Sequence, residues 1–318
     1  MVGAAGTWRP WEQAWEEALF GPDGFYRRPE GPAGHFRTAS HAAPVTLASA
    51  LLRLAHETAC GAIVDVGAGR GELLEAVAVV DDGPRPLRLH GIDLVPRPAG
   101  LAGRVGWTCS PDSPPASALA DALVVAWELL DTVPCPVLEV GEKGQPRRVL
   151  VDVRTGDERL GDAADDVDLA WCRRWWPLDG APEGSRAEVG RRRDEWWAAQ
   201  VMALADSAGG LLLCVDYAHV LAARPPLGTL AGYRRGRLVP PVPDGSCDVT
   251  AHVALDAVEA AGRSAGASAG VLIPQHEALG ALGVRPDVPW TAELLDPDGL
   301  GGFSWLIQAV GGETWSPG

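Results

Sequence analysis

A turn with three alternating glycines constrains this chain of 318 residues more than any other feature. The run 63–66 is mostly apolar and suits a buried strand, and an apolar pattern with helical spacing continues over 71–80. Gly67, Gly69 and Gly71 lie where the strand would pass into the helix. Because glycine lacks a Cβ atom, its backbone N–H group can approach a bound molecule closely. The sequence therefore predicts a strand-to-helix turn that binds a ligand, and we expect that ligand to be an adenine-nucleoside cofactor.

The residues around this turn separate two classes of cofactor. A dinucleotide-binding motif requires glycine or alanine where this chain has Glu72, whose carboxylate would repel a pyrophosphate. The G-x-G-x-G spacing, preceded by Asp65, resembles instead the first motif of class I S-adenosylmethionine (SAM) methyltransferases, whose cofactor carries a sulfonium. Asp93 ends the next predicted strand, where a ribose would lie, so we predict that Asp93 binds the ribose. Two alternatives stay open, a nicotinamide-dependent oxidoreductase and a turn that binds nothing.

Composition excludes several classes of protein. With 47% hydrophobic residues the chain can bury a large core, and no apolar run reaches the roughly 18 residues that a membrane-spanning helix needs. The first six residues lack the basic segment of a signal peptide, so we expect a cytoplasmic protein. A formal charge of −15 opposes binding to nucleic acids and to anionic membranes. The six cysteines form no C-x-x-C pair, and we predict no metal site.

Strand and helix patterns alternate along most of the chain, which predicts an α/β fold with a parallel sheet. The predicted strands cover 61–67, 87–95, 105–109, 122–128, 211–217 and 271–273, and a last strand over 304–310 can pair antiparallel. The predicted helices cover 44–57, 71–80, 165–176, 187–206 and 250–262.

Additions to this core are expected before and within it. Trp8, Trp11, Trp15 and Leu19 recur at helical intervals, so we predict an N-terminal amphipathic helix whose aromatic stripe packs on the domain. The segment 136–154 is typical of an inserted hairpin. Two further segments are rich in turn-forming residues and are predicted to act as lids; they are 20–40 and 224–248.

Acidic and basic side chains that follow the predicted strands are the candidates for chemistry, because ligands of such sheets bind beyond the carboxyl ends of the strands. Glu128 ends an apolar strand, and Asp131 follows three residues later. Two carboxylates there would bind a cation, and the fixed fork of a guanidinium matches a carboxylate, so methyl transfer to arginine is feasible. His252, in the predicted helix 250–262, is a candidate general base. A purely structural role stays open for each of the three.

Five blocks in the same order along the chain are similar to the MidA-like SAM-dependent methyltransferases, the family of the mitochondrial complex I assembly methyltransferase. They are GHFRT at 34–38, DVGAGRG at 65–71, AWELLDTVP at 126–134, VDY at 215–217 and PDGSCDVTAHV at 243–253. The resemblance implies an α/β fold of the class I SAM-methyltransferase, Rossmann-like type, with an N-terminal helical cap and an inserted hairpin and helices. It also implies SAM as cofactor and, for the mitochondrial member, symmetric dimethylation of an arginine on a respiratory-complex subunit.

These observations fix the predicted site and the domain boundaries. The predicted cofactor site comprises Asp65, Gly67, Ala68, Gly69, Gly71, Asp93 and Leu94, and the resemblance adds Phe36, Thr38 and Trp127. The predicted catalytic residues are Glu128, Asp131 and His252. The predicted domains are a helical cap or lid over 1–56 and a methyltransferase domain over 57–318 with insertions at about 131–187 and 224–248.

Two residues depart from the family pattern, His35 where aspartate is usual and Trp127 where asparagine is usual. An imidazole and an indole at these positions would alter the pocket for the methyl acceptor.

We predict a SAM-dependent methyltransferase that acts on a protein arginine side chain. Two alternatives are a small-molecule O- or N-methyltransferase and a SAM-binding assembly factor that docks a partner with little catalytic activity. The sequence leaves the oligomeric state open and allows a homodimer.

Overall fold

A computed structural model describes residues 7–28, 42–110, 114–312 and 314–317, and within it the chain forms two compact units. The first unit comprises Met1–Phe36, Asp131–Asp194 and His219–Ala257. The second comprises Arg37–Leu130, Glu195–Ala218 and Val258–Gly318. Each unit is therefore assembled from three separate segments of the chain.

A seven-stranded mixed sheet forms the centre of the second unit. From one edge to the other its strands are Val271–Pro274 (β16), Ser304–Val310 (β17), Gly210–Asp216 (β10), Ala122–Trp127 (β5), Ala62–Val66 (β2), Arg88–Asp93 (β3) and Val105–Cys109 (β4). The strands β4, β3, β2, β5 and β10 run parallel, and β17 runs antiparallel to both of its neighbours. Every residue of β2 and β5 is buried, as expected for central strands that are covered on both faces.

The apolar core of the second unit is built from leucines at helical intervals and from alternate residues of the strands. In helix α2 (Pro44–Glu57), Leu47, Leu51 and Leu54 are fully buried, and the proline at the first position favours a helix start there. They belong to one cluster with Leu74 of helix α3 (Glu72–Val80) and with residues of the central strands. Helix α3 begins directly after the glycine turn, so this packing fixes the position of the turn.

The first unit contains two antiparallel sheets. One places Trp8–Pro10 (β1), Pro146–Asp152 (β7), Val137–Val140 (β6) and Arg186–Glu188 (β9) side by side in that order, with Glu158–Ala163 (β8) also paired to β7. The other consists of Arg237–Val239 (β13), Ala231–Arg234 (β12) and Asp248–Thr250 (β14). Trp11, Trp15 and Leu19 are buried in an apolar cluster with residues of β6, β7 and β14.

Shorter strands and further α-helices are also present in the described residues. The remaining strands are Ala218–His219 (β11) and Val253–Ala254 (β15). The remaining helices are Trp11–Phe20 (α1), Ala116–Leu119 (α4), Asp166–Trp175 (α5), Arg191–Ala205 (α6), Leu255–Ser264 (α7), Gln275–Ala281 (α8) and Pro289–Leu295 (α9). Among the described residues, none of the helices combines the length and the apolar character needed to traverse a lipid bilayer.

The predicted alternation of strands and helices is confirmed over most of the second unit. The strand near 105–109 and the helix over 44–57 are found with those bounds, and 304–310 pairs antiparallel with both neighbours. The hairpin predicted within 136–154 is also confirmed, because β6 and β7 pair antiparallel. It forms part of a larger sheet.

Three predictions of local structure are wrong. Trp8 is not helical, because Pro10 has φ −55° and ψ 142° and the helix starts only at Trp11. Helix 187–206 starts at Arg191, because 186–188 pairs with β6 as strand β9. Helix 250–262 starts at Leu255. The predicted lid 224–248 contains a hairpin of β12 and β13, and its role as a lid stays a prediction.

Candidate functional site

The glycine turn adopts a backbone that only glycine tolerates well. Gly67, Gly69 and Gly71 have φ of +75°, +58° and +79°, in the left-handed region. A Cβ atom on Gly67 would lie 2.8 Å from Leu129 Cδ1, and one on Gly71 would lie 2.8 Å from Leu101 Cδ1. On Gly69 it would meet open space, with only Glu72 Oε2 near it at 3.5 Å among the described atoms. The turn is packed tightly at both ends and open at its middle.

Asp93 holds the middle of this turn in place. Its Oδ2 accepts a hydrogen bond of 2.8 Å from the N–H of Gly69, and its Oδ1 accepts one of 3.2 Å from Val95. The turn is further tied to β3 because the N–H groups of Gly67 and Ala68 donate to the carbonyl of Ile92 at 2.9 and 3.0 Å. Burial raises the pKa of Asp93. The hydrogen bond from Gly69 lowers it, but by less than burial raises it. The predicted ribose contact of Asp93 stays a prediction, as does that of the half-buried Leu94.

Asp65 lies within β2, two residues before the turn, and its side chain is 4% exposed. Burial, assisted by the negative charges of Asp93 and Glu72, raises its pKa to about 8. No hydrogen bond from the described residues offsets these influences. Three carboxyl groups thus lie in or beside the turn. A bound cation would favour the ionised form of Asp65, whereas a bound phosphate would oppose it.

Replacing Asp65 with asparagine is expected to stabilise the ligand-free protein, increasingly so at high pH. The folded-state pKa of about 8 lies above the ordinary value of 3.8, so the carboxyl destabilises the fold progressively as pH rises from about 4 to 8. The buried amide has its own cost, which is the same at both pH values, so we expect the stability of the variant relative to wild type to rise by about 5 kcal/mol between pH 4 and pH 9. Thermal unfolding of both proteins at the two pH values measures it, and an equal effect at both would contradict the buried ionisation.

The end of β5 forms a second turn that touches the first. Glu128 is half-buried and has φ +51°, a left-handed conformation that costs a non-glycine residue about 1–2 kcal/mol. Its N–H donates to the carbonyl of Val215 at 2.8 Å, and the N–H of Leu130 donates to Asp216 Oδ2 at 2.9 Å. Asp216 is fully buried, so its carboxylate fixes this turn. The side chain of Leu129 reaches the position beside Gly67 described above.

Sequence reasoning missed Trp107, which covers the glycine turn. A Cβ on Gly91 would lie 2.5 Å from the Trp107 ring, and one on Gly71 would lie 3.5 Å from it. The indole N–H of Trp107 donates to the carbonyl of Val95 at 3.1 Å. A glycine inside a strand marks close approach of another group, and Gly91 within β3 was the available signal.

The predicted catalytic residues Asp131 and His252 belong to the first unit, where one arginine ties their backbones. Arg193 is 1% exposed, and its Nη2 donates to the carbonyls of Asp131 and Val133 at 3.0 and 3.1 Å. Its Nη1 donates to the carbonyls of Ala251 and His252, both at 3.0 Å. No sequence signal points to this role, because Arg193 stands in a run of three arginines.

His252 lies between β14 and β15, so its predicted place on a helix is wrong. The apolar run around it fits the pattern of a helix as well as that of a strand. The residues just before His252 form strand β14, which pairs with β12. The backbone N–H of His252 donates to Thr229 Oγ1 at 2.9 Å. Burial lowers the pKa of His252, and the charge of Arg193 lowers it further.

The second unit brings together Asp65, the glycine turn, Asp93, Trp127 and Glu128 at the carboxyl ends of β2, β3 and β5. The predicted cofactor contacts Phe36 and Thr38, and most of the predicted lid 20–40, lie outside the described residues. This edge of the sheet, built around β2, is where a parallel α/β sheet binds its ligands.

Comparison with known proteins bears on this site. Residues 88–273 match a family described as "Putative S-adenosyl-L-methionine-dependent methyltransferase". A "likely methyl transferase" from Burkholderia thailandensis, solved bound to S-adenosyl-homocysteine, is similar in structure, with TM-score 0.73, 24% identity, and coverage of 98% of this chain and 90% of that chain. A native crystal structure of an uncharacterised protein from the same organism gives TM-score 0.72 and 23% identity, with 98% and 92% covered. No curated protein matches the sequence.

Proposed function

Since the chain belongs to this family of SAM-dependent methyltransferases, we propose that it transfers the methyl group to an arginine side chain of a protein, as a MidA-like enzyme with a class I fold and an N-terminal cap. The sheet supports this fold assignment, because the glycine turn follows the central strand β2, with β3 and β4 on one side and β5 and β10 on the other. Strand order reverses at such a point, and ligands bind there.

The residues of the second unit fit the cofactor. The open space at Gly69 leaves room for a ligand against the backbone of the turn. The acidic groups Asp65, Glu72 and Asp93 suit a cofactor that carries positive charge and no phosphate. The turn from Gly67 to Gly71 and the carboxylate of Asp93 would hold it. When bound, SAM supplies a methyl group on a sulfonium that a nucleophile can displace, which leaves S-adenosyl-homocysteine (SAH).

The position of Glu128 is the observation that carries the arginine proposal. Its strained turn is held by Val215 and Asp216 and lies directly against the glycine turn through Leu129. Strained residues persist where the surrounding structure over-determines them, often at functional sites. A carboxylate there would orient a guanidinium through two parallel hydrogen bonds and place one nitrogen in line with the methyl group. Its charge would also compensate the positive charge of the acceptor.

The direct test is to incubate the protein with labelled SAM and candidate acceptors and to identify the labelled residue by mass spectrometry. Methylarginine in a protein or peptide is the expected product. Label found only on small molecules, or only on carboxylates, would reject the arginine acceptor in favour of a small-molecule methyltransferase. SAH binding without label on any acceptor would favour the assembly-factor alternative.

Replacing Glu128 with glutamine is expected to lower kcat for methyl transfer about 100-fold or more, while the affinity for SAH stays within about threefold. The amide keeps the size of the side chain but can no longer pair with a guanidinium charge. Glu142, an exposed glutamate in the turn between β6 and β7, provides the matched control when it is changed to glutamine. Equal activity of the two variants would show that Glu128 does not orient the acceptor.

A further inference from the structure

The hairpin of β12 and β13 in the first unit carries a compact group of arginines. Its two-residue turn consists of Arg235 and Gly236, and Arg234 and Arg237 flank the turn as a directly opposed pair. All three arginines are exposed, and no ion pair joins any of them to a described residue. Three of the 27 lysines and arginines of this acidic chain therefore lie within four positions of the sequence.

This arrangement costs the hairpin stability. A two-residue turn with left-handed backbone at both positions prefers asparagine, aspartate or glycine at the first. Here the first position is Arg235, with φ +51°, and Gly236 follows with φ +72°. Like charges that lie opposite each other on paired strands, as Arg234 and Arg237 do, destabilise the pairing. Local stability therefore does not explain these residues, and strained residues cluster at sites of function.

The three side chains match an anion that offers carboxylates at short spacing. A guanidinium binds a carboxylate through two parallel hydrogen bonds. The Cβ atoms of an opposed pair such as Arg234 and Arg237 lie about 4.5–5.5 Å apart, so both can reach the carboxylates of one short acidic stretch. Arg235 adds a third guanidinium at the tip of the hairpin.

The acidity of the whole chain selects among anionic partners. The formal charge is −15 with these three arginines included, and physiological salt screens exposed charges beyond about 8 Å. A short acidic peptide can bind at the turn and stay within that distance of the arginines. A DNA duplex or a lipid surface is much larger, so it would also face the negative charge of the remaining surface.

We propose that the hairpin of β12 and β13 binds a short acidic segment of a partner protein through the guanidinium groups of Arg234, Arg235 and Arg237. This binding requires neither the cofactor nor methyl transfer, so it goes beyond the proposed function. Carboxylates of the partner would compensate the repulsion between Arg234 and Arg237, which the free hairpin leaves without a counter-charge among the described residues.

Fluorescence anisotropy of a labelled peptide of six glutamates, titrated with the full chain, tests the proposal. A peptide of six glutamines, a short DNA duplex and vesicles that contain phosphatidylserine are the comparison ligands. The double variant Arg234→Gln with Arg237→Gln removes the opposed pair. The matched control is Arg173→Gln with Arg174→Gln, because it removes the same charge from two exposed arginines near the end of α5 in the same unit.

We expect the hairpin double variant to bind the glutamate peptide about fivefold more weakly or worse, and the control variant to stay within about twofold of wild type. High salt should weaken the binding by wild type. Arg235→Asn should also weaken it, yet raise Tm by about 1–2 °C, because asparagine tolerates the left-handed turn better than arginine. A variant that is more stable and binds less well separates the contact from folding.

Two results would overturn the proposal. If wild type binds the glutamate peptide no better than the glutamine peptide, or if the hairpin and control variants lose equal affinity, the hairpin is not a docking site. If the hairpin variant loses more affinity for the duplex or the vesicles than for the peptide, the partner is not an acidic protein segment. Neither result bears on methyl transfer, which the experiment with labelled SAM tests separately.

Discussion

Replacing Gly69 with valine is expected to abolish measurable SAH binding, with a loss of at least about 100-fold, while the protein stays folded. The nearest described atom to a Cβ at Gly69 is Glu72 Oε2 at 3.5 Å, so the new side chain would not clash with the protein. The cost to the fold is the left-handed backbone at φ +58°, about 1–2 kcal/mol. The valine would instead fill the space against which the cofactor lies, and it would strain the N–H that Asp93 holds.

The matched control is Gly144→Val in the turn between β6 and β7. Gly144 has φ +71°, and a Cβ atom there would have no described atom within 4 Å, so the substitution imposes the same backbone strain away from the glycine turn. Calorimetric titration with SAH and thermal unfolding of both variants make the comparison. Both should lose similar stability, and only Gly69→Val should lose binding. SAH affinity in Gly69→Val within about threefold of wild type would remove the glycine turn as the cofactor site.

The sheet of the second unit follows from local patterns, which explains why it could be predicted from the sequence. The runs at β2 and β5 are apolar on both faces, as only central strands are, and glycines or acids mark where they end. The same patterns placed Asp65, Gly69, Asp93 and Glu128 near one edge, because the carboxyl ends of parallel strands meet there. The prediction of this sheet and of a cofactor site at its edge therefore required no knowledge of distant contacts.

Features that depend on distant partners could not be predicted in this way. Strand β1 exists because it pairs with β7, which lies far along the chain, and three residues that end in a proline carry no strand signal of their own. The pKa of Asp65 depends first on burial and then on charges from β3 and α3, all of which only the fold brings about. The absence of a partner for the indole N–H of Trp127 among the described residues is likewise a property of the packed core.

The arginine run at the start of α6 shows the same limit most sharply. The sequence alone predicts that all three arginines at 191–193 are solvated charges. In the structure Arg192 is 38% exposed and pairs with Glu16 at 2.7 Å and Glu12 at 3.5 Å. Arg193, one residue further along the helix, is buried, and its guanidinium donates to the backbone carbonyls of two separate segments. Helical rotation separates the two side chains, and the fold gives them different roles.

Replacing Arg193 with methionine is therefore expected to destabilise the protein by about 4 kcal/mol, which lowers Tm by about 6 °C. Methionine keeps the apolar stem but leaves the carbonyls of Asp131, Val133, Ala251 and His252 without this donor in a buried place. Buried acceptors that lose their partner bear the full cost of their desolvation.

Arg192→Met is the control from the same helix turn. It removes an exposed ion pair with Glu16 that is worth about 0.2–1 kcal/mol, so its Tm should stay within a few degrees of wild type. Differential scanning calorimetry of the full chain measures both variants. If Arg193→Met unfolds no earlier than Arg192→Met, the guanidinium does not hold the segments of Asp131 and His252 together. If it unfolds much earlier, these two segments depend on a side chain that binds their backbones rather than their functional groups, and the geometry of both predicted catalytic residues is set from α6.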